Sequence, residues 1–220
     1  DGTHTPEASA DPLHRAVAEQ IGQLLEWDRA LRADSYDSVH QMRVTTRKIR
    51  SLLQLWEGSL GRTDSEWILD ELREVEGVLG VARDAEVLAE RFESALDDVP
   101  EDKIRGTVRE RLVEGAKKRY RSGWKRSLTA VRSPRYFRLL DALEELVAAE
   151  PPPTPAGEEP AHANLDSAYK RVRKAAKAAR AAVDDTEADN DEALHRIRKR
   201  AKQLRYTAAA TGATKVAAAV

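Results

Sequence analysis

The sequence predicts an all-α protein, and three observations carry that expectation. Apolar residues recur at helical spacing along almost the whole chain, and no segment sustains the period-two alternation of a half-buried strand. Charged residues make up 34% of the 220 and aromatics only 5%, with Ala, Leu, Arg and Glu dominant, a balance that suits helices packed through small aliphatic side chains. Residues that start and stop helices also fall where the periodic segments begin and end.

Helices are expected over residues 11–33, 37–59, 64–97, 101–130, 134–149, 165–183 and 190–209. Asp11 before Pro12 starts the first, and Asp37 or Ser38 before Val39 starts the second. Gly61 suits the end of the second. Thr63 or Asp64 before Glu66 opens the third, and Ser133 before Pro134 the fifth. Leu52, Trp56 and Trp67 read as core. Residues 150–164 (EPPPTPAGEEPAHAN) hold five prolines and cannot continue a helix or join a sheet. They divide the chain into a first helical bundle over 1–149, a linker over 150–164 and a second helical part over 165–220. The first length suits four or five helices with short connections. The second offers only two clear helices and an Ala-rich tail, so it should pack on the first or continue into further chain.

There is no cysteine, which excludes disulfides and thiolate zinc sites. Uncharged apolar runs fall far short of the ~20 residues a membrane span needs, and no signal-peptide pattern opens the chain. The expectation is a soluble, cytoplasmic module without a membrane partner. Since the chain begins with Asp1 rather than Met, it is expected to be part of a longer protein.

The formal net charge of −1 conceals strong segregation. Residues 40–50 carry Arg43, Arg47, Lys48 and Arg50 with no acid, and residues 103–138 carry thirteen basic residues against Glu110 and Glu114. Residues 169–180 and 195–205 carry six basic residues each and no acid. The acidic stretches 64–98 and 141–159 are therefore expected to face outward, away from the basic surfaces. Such segregation produces a strong local field even when the sum is near zero.

One short motif occurs twice. His40-Gln41-Met42-Arg43-Val44-Thr45-Thr46-Arg47-Lys48-Ile49-Arg50 and His195-Arg196-Ile197-Arg198-Lys199-Arg200-Ala201-Lys202-Gln203-Leu204-Arg205 share H-x-M/I-R-x-x-x-R/K-x-I/L-R. On a helix, His40, Arg43, Arg47 and Arg50 fall within an arc of about 80°, beside the arc that holds Met42, Ile49, Leu53 and Trp56. His195, Arg198, Lys202 and Arg205 repeat the arrangement. Lys170, Arg173, Lys177 and Arg180 do so without a histidine. Like charges at these spacings repel by a few tenths of a kcal/mol per pair. A repeated cost of this kind points to a ligand that brings the negative charge. Rows of Arg and Lys about 5 Å apart match a chain of phosphates better than a single one.

Other readings stand beside this one. A basic helix face is often only solvated, and a helix-start histidine often binds a nearby carbonyl. Nucleic acid is also a chain of phosphates, and Tyr120, Trp124, Tyr169 and Tyr206 offer stacking surfaces, but the 40–50 stripe has no aromatic residue. No recognition-helix motif is evident. A phosphate- or metal-dependent hydrolase would need carboxylates or paired histidines that neither motif contains, leaving Arg83-Asp84 as the one tempting site. A helical scaffold for protein partners would expose apolar rather than basic patches.

These motifs resemble the conserved-histidine α-helical domain family, abbreviated CHAD. The paired His-x-M/I-Arg motifs with the ending Leu204-Arg205-Tyr206 look like its double signature. Leu79-Gly80-Val81-Ala82-Arg83-Asp84, followed by Val87, looks like its L-G-x-x-R-D-x-x-V element, and Ser133-Pro134-Arg135-Tyr136 like the start of its middle helix. The resemblance covers the chain from about residue 12. It implies two pseudo-symmetric, internally duplicated antiparallel helical bundles, each of four-helix type, around a basic central groove. The second would be incomplete, since it lacks a counterpart of Leu79–Asp84. It further implies binding of inorganic polyphosphate without catalysis or cofactor, a place at polyphosphate granules, and an adjacent triphosphate tunnel domain of the CYTH type as a partner. Carried over by position, the phosphate-binding set is His40, Arg43, Arg47, Lys48, Arg50, His195, Arg198, Lys199, Lys202 and Arg205. Lys117, Arg121, Arg135, Lys170, Arg173 and Lys177 of the intervening helices join it.

Overall fold

The computed structural model describes residues 12–56, 62–149, 165–181, 187–210 and 212–219. Among these residues eight α-helices follow in order: α1 Pro12–Arg32, α2 Ser38–Trp56, α3 Arg62–Asp97, α4 Gly115–Val131, α5 Pro134–Ala148, α6 Leu165–Ala181, α7 Glu187–Ala210 and α8 Thr214–Ala219. Among the described residues there is no strand, so the all-α expectation holds. The chain forms two compact units. One gathers the described residues within 1–20, 48–66 and 145–220, the other 21–47 and 67–144. The expected linker at 150–164, Asp11 and Gly61 lie outside the described residues, as does the Trp56 side chain.

In the unit built from 21–47 and 67–144, each helix buries one stripe. α1 contributes Ile21, Leu24 and Leu31, α2 Val39 and Met42, and α3 Ile68, Leu69, Leu72, Val75, Leu79, Ala82, Ala85 and Ala89. α5 adds Tyr136, Leu139 and Leu143. The turn from α1 to α2 is tight. Asp34 takes the left-handed conformation (φ 50°), Ser35 N–H donates to Ala30 O at 3.0 Å and Asp34 N–H to Leu31 O at 3.1 Å. This is a Schellman close with aspartate in the usual glycine place, which a short polar side chain tolerates. The start of α5 matches expectation: Ser133 Oγ accepts the Tyr136 N–H at 3.2 Å, satisfying an end donor.

Three expectations are corrected. The helix expected over 101–130 is interrupted. A 3-10 turn at Glu101–Lys103 is followed by Gly106 at φ 63°, and a π-turn at Glu110–Glu114 leads into α4. A left-handed glycine cannot continue a right-handed helix, and this chain has one there. Trp67 is 39% exposed rather than core. It stands one residue, about 100° of arc, before the buried pair Ile68 and Leu69. Finally, the 64–98 stretch does not face wholly outward. Glu71 and Glu76 are 5% and 9% exposed, each against an arginine described below.

The other unit buries Leu13 and Val17 of α1, Ile49, Leu52 and Leu53 of α2, Ala168 of α6, and Ala193, Leu204 and Ala208 of α7. His14 is buried, and its Nε2 is 2.9 Å from Val147 O. α6 packs on α7, and α7 on α8. The Ala-rich tail forms α8 after a turn at Gly212 (φ 76°).

Candidate functional site

In the unit of 21–47 and 67–144, residues 40–47 of the first motif lie on α2 with Met42 fully buried beneath them. His40, Arg43 and Arg47 are half-buried. Arg43 lies across Gly80 of α3, where a Cβ would meet its Nε at 3.6 Å and its Nη2 at 3.8 Å. Its Nε is buried without a hydrogen-bond partner. Arg47 donates from Nε and Nη2 to Glu76 Oε1 at 2.8 and 2.6 Å. Arg135 of α5 donates from Nε to Glu71 Oε2 at 2.6 Å, and that carboxylate raises the guanidinium pKa above its ordinary value.

Lys117 Nζ of α4 lies 2.9 Å from Glu93 and 3.9 Å from Glu114. Its pKa is raised, first by the Glu93 hydrogen bond. Arg121 is exposed. The basic residues of the sequence are thus not free of acids in space: α3 brings carboxylates to Arg47, Lys117 and Arg135.

The Leu79–Asp84 element is mainly structural. Leu79 is core, Gly80 underlies Arg43, and Ala82 lies close against Gly123 of α4. Arg83 pairs with Glu86 at 2.6 Å and Glu90 at 3.8 Å rather than with Asp84. Asp84 instead lines an open cleft of roughly 410 Å³ between α3 and α4, with Val81, Leu88, Arg119 and Arg126.

In the other unit the basic groups stand further out. Lys170, Arg173 and Lys177 of α6 are exposed, as are His195, Arg198, Lys199, Lys202 and Arg205 of α7, while Lys48 and Arg50 of α2 are half-buried. Leu204 is buried on the reverse side of α7, as its equivalent Ile49 is on α2. Among the described residues, no carboxylate pairs with Arg198, Lys199, Lys202 or Arg205. The Arg205 guanidinium lies 5.4 Å from the ring centre of Tyr206, which steadies it by a cation–π contact.

Among the described residues no group of histidines and carboxylates gathers as a metal site, and no helix is long and apolar enough to cross a membrane. The fold and its surfaces define a class: an all-helical module with basic helix faces. The model of the CHAD domain matches residues 15–218, and the chain belongs to that family. Two curated relatives are the uncharacterized proteins Rv2226 and MT2285 of Mycobacterium tuberculosis, strains H37Rv and CDC 1551. Each is 62% identical over 212 residues, which is 96% of this chain and 41% of the relative. The chain therefore spans about two fifths of their length. Two solved structures share the fold at 21% identity. PptA from Streptomyces chartreusis has a TM-score of 0.70, covering 93% of this chain and 75% of its own. The CHAD domain from the plant Ricinus communis has a TM-score of 0.61, covering 91% and 66%.

Proposed function

We propose that this chain binds inorganic polyphosphate through its basic helix faces and does so without catalysis. The α7 row carries the argument: Arg198, Lys202 and Arg205 repeat at helical spacing, all exposed, with no paired carboxylate among the described residues. A row of cations left in water at mutual repulsion is stabilised when a chain of phosphates lies along it. The α2 row repeats the pattern through His40, Arg43, Arg47 and Arg50, and membership of the CHAD family agrees with the ligand. Lys48, Lys199 and the α4–α6 cations Lys117, Arg121, Arg135, Lys170, Arg173 and Lys177 extend the charged surface. A triphosphate-processing tunnel domain is the partner that best suits such a binder, and cytoplasmic polyphosphate granules are its expected place.

The test is charge reversal on each row. Arg43→Glu and Arg198→Glu should each weaken polyphosphate binding, and together abolish it, while far-ultraviolet circular dichroism stays unchanged. Undiminished affinity in the double variant would refute the assignment.

A further inference from the structure

α3 places two carboxylates among these cations, and the binding of an anion does not call for them. Glu71 and Glu76 are nearly buried. As bare charges they repel a polyanion, and burying them has its own desolvation cost.

Their geometry gives them a use. Both hold an arginine by its Nε edge: Glu71 Oε2 takes Arg135 Nε at 2.6 Å, and Glu76 Oε1 takes Arg47 Nε and Nη2 at 2.8 and 2.6 Å. A guanidinium is a planar fork of five donors. Occupying the Nε edge directs the remaining donors away from the carboxylate. The Arg135 and Arg47 side chains are 56% and 33% exposed against 7% and 11% for their glutamates, so in each pair the part that reaches solvent belongs to the arginine. The Lys117–Glu93 pair differs, since both groups are nearly half exposed and such pairs are weak and screened.

We propose that Glu71 and Glu76 are positioning residues: they lock Arg135 and Arg47 in rotamers that present the outer guanidinium edge to phosphate oxygens before the ligand arrives. This rests on the polyphosphate reading. A flexible arginine loses rotamer freedom on binding, whereas one already held loses little. The held pair and the free α7 row then play different parts, the first orienting individual phosphates and the second supplying charge.

The test is the sign of an affinity change. Removing a negative charge near an anion site should tighten binding if charge alone matters. Positioning requires the reverse: Glu71→Met and Glu76→Met should each weaken binding of length-defined polyphosphate by roughly two- to tenfold. Glu71→Gln and Glu76→Gln keep an acceptor for Nε and should recover part of the loss; they also decide the matter if a methionine variant does not fold. In an Arg135→Lys background, whose ammonium has no second edge to present, Glu71→Met should instead tighten binding. A merely structural glutamate would not produce that reversal. Tighter or unchanged binding in the single variants overturns the positioning role while leaving polyphosphate binding intact. An unsubstituted chain that binds no polyphosphate refutes the functional reading, and the positioning role with it.

Discussion

The crossing of α3 and α4 yields a prediction whose sign is set by packing against helix propensity. A Cβ built on Gly123 would lie 2.8 Å from both Cα and N of Ala82 and 3.1 Å from its Cβ. Two of those atoms are helix backbone, so they cannot swing aside as a side-chain tip could. Gly123→Ala must push the helices apart, and overpacking of this kind costs ~1–3 kcal/mol. Alanine recovers about 1 kcal/mol of helix propensity over glycine, leaving a net loss on the order of 1 kcal/mol. Gly77 offers the matched control. It is exposed in α3, and a Cβ there meets nothing within 4 Å, so Gly77→Ala should stabilise by about 1 kcal/mol. For a chain of this size, each kcal/mol moves Tm by roughly 2–4 °C. Thermal melts followed by circular dichroism should therefore place the two variants on opposite sides of the unsubstituted chain, roughly 4–8 °C apart. A Gly123→Ala protein that melts as high as the Gly77→Ala protein would refute the close approach.

Further outcomes follow from the same contacts. Arg47→Met removes both donors to Glu76 Oε1 and should cost ~1.5–3 kcal/mol in urea unfolding. Adding Glu76→Gln should return part of that, and a double variant no more stable than Arg47→Met would contradict the pairing. Tyr120 and Tyr136 have pKa values raised chiefly by burial, with Asp34 adding to the first and Asp28 to the second. A raised folded-state value stabilises the fold fully below the ordinary tyrosine pKa of about 10, and that stability drains away as pH climbs beyond it. Ultraviolet titration should therefore show two of the five tyrosines ionising late and together with loss of helicity. All five ionising in one step with the helices intact would contradict it.

The buried stripe of α2 was legible because Met42 and Ile49 follow the 3.6-residue period, and so was the outward row of α7, since nothing apolar interrupts it. The break between α3 and α4 was not. Apolar spacing continues through 101–114, while a single glycine, Gly106, decides the backbone there. Trp67 lies out of phase with the buried Ile68 and Leu69, and a one-residue offset turns even tryptophan toward water. Glu71 and Glu76 were hidden for another reason. Their arginines lie 64 and 29 residues away, and pairing over such separations is set by helix packing rather than local pattern. The Leu79–Asp84 element was visible as a motif, yet the roles of Gly80 and Ala82 depend on Arg43 and Gly123 in other helices.

The most direct measurement is a competition titration: labelled long-chain polyphosphate displaced by single-stranded DNA, RNA, duplex DNA or pyrophosphate at two salt concentrations. Polyphosphate binding should be far tighter than that of any nucleic acid at matched phosphate concentration, and should survive the higher salt better. Equal competition by every polyanion, with affinity falling steeply in salt as counterion release dictates, would contradict the account and reduce the basic rows to a generic electrostatic surface.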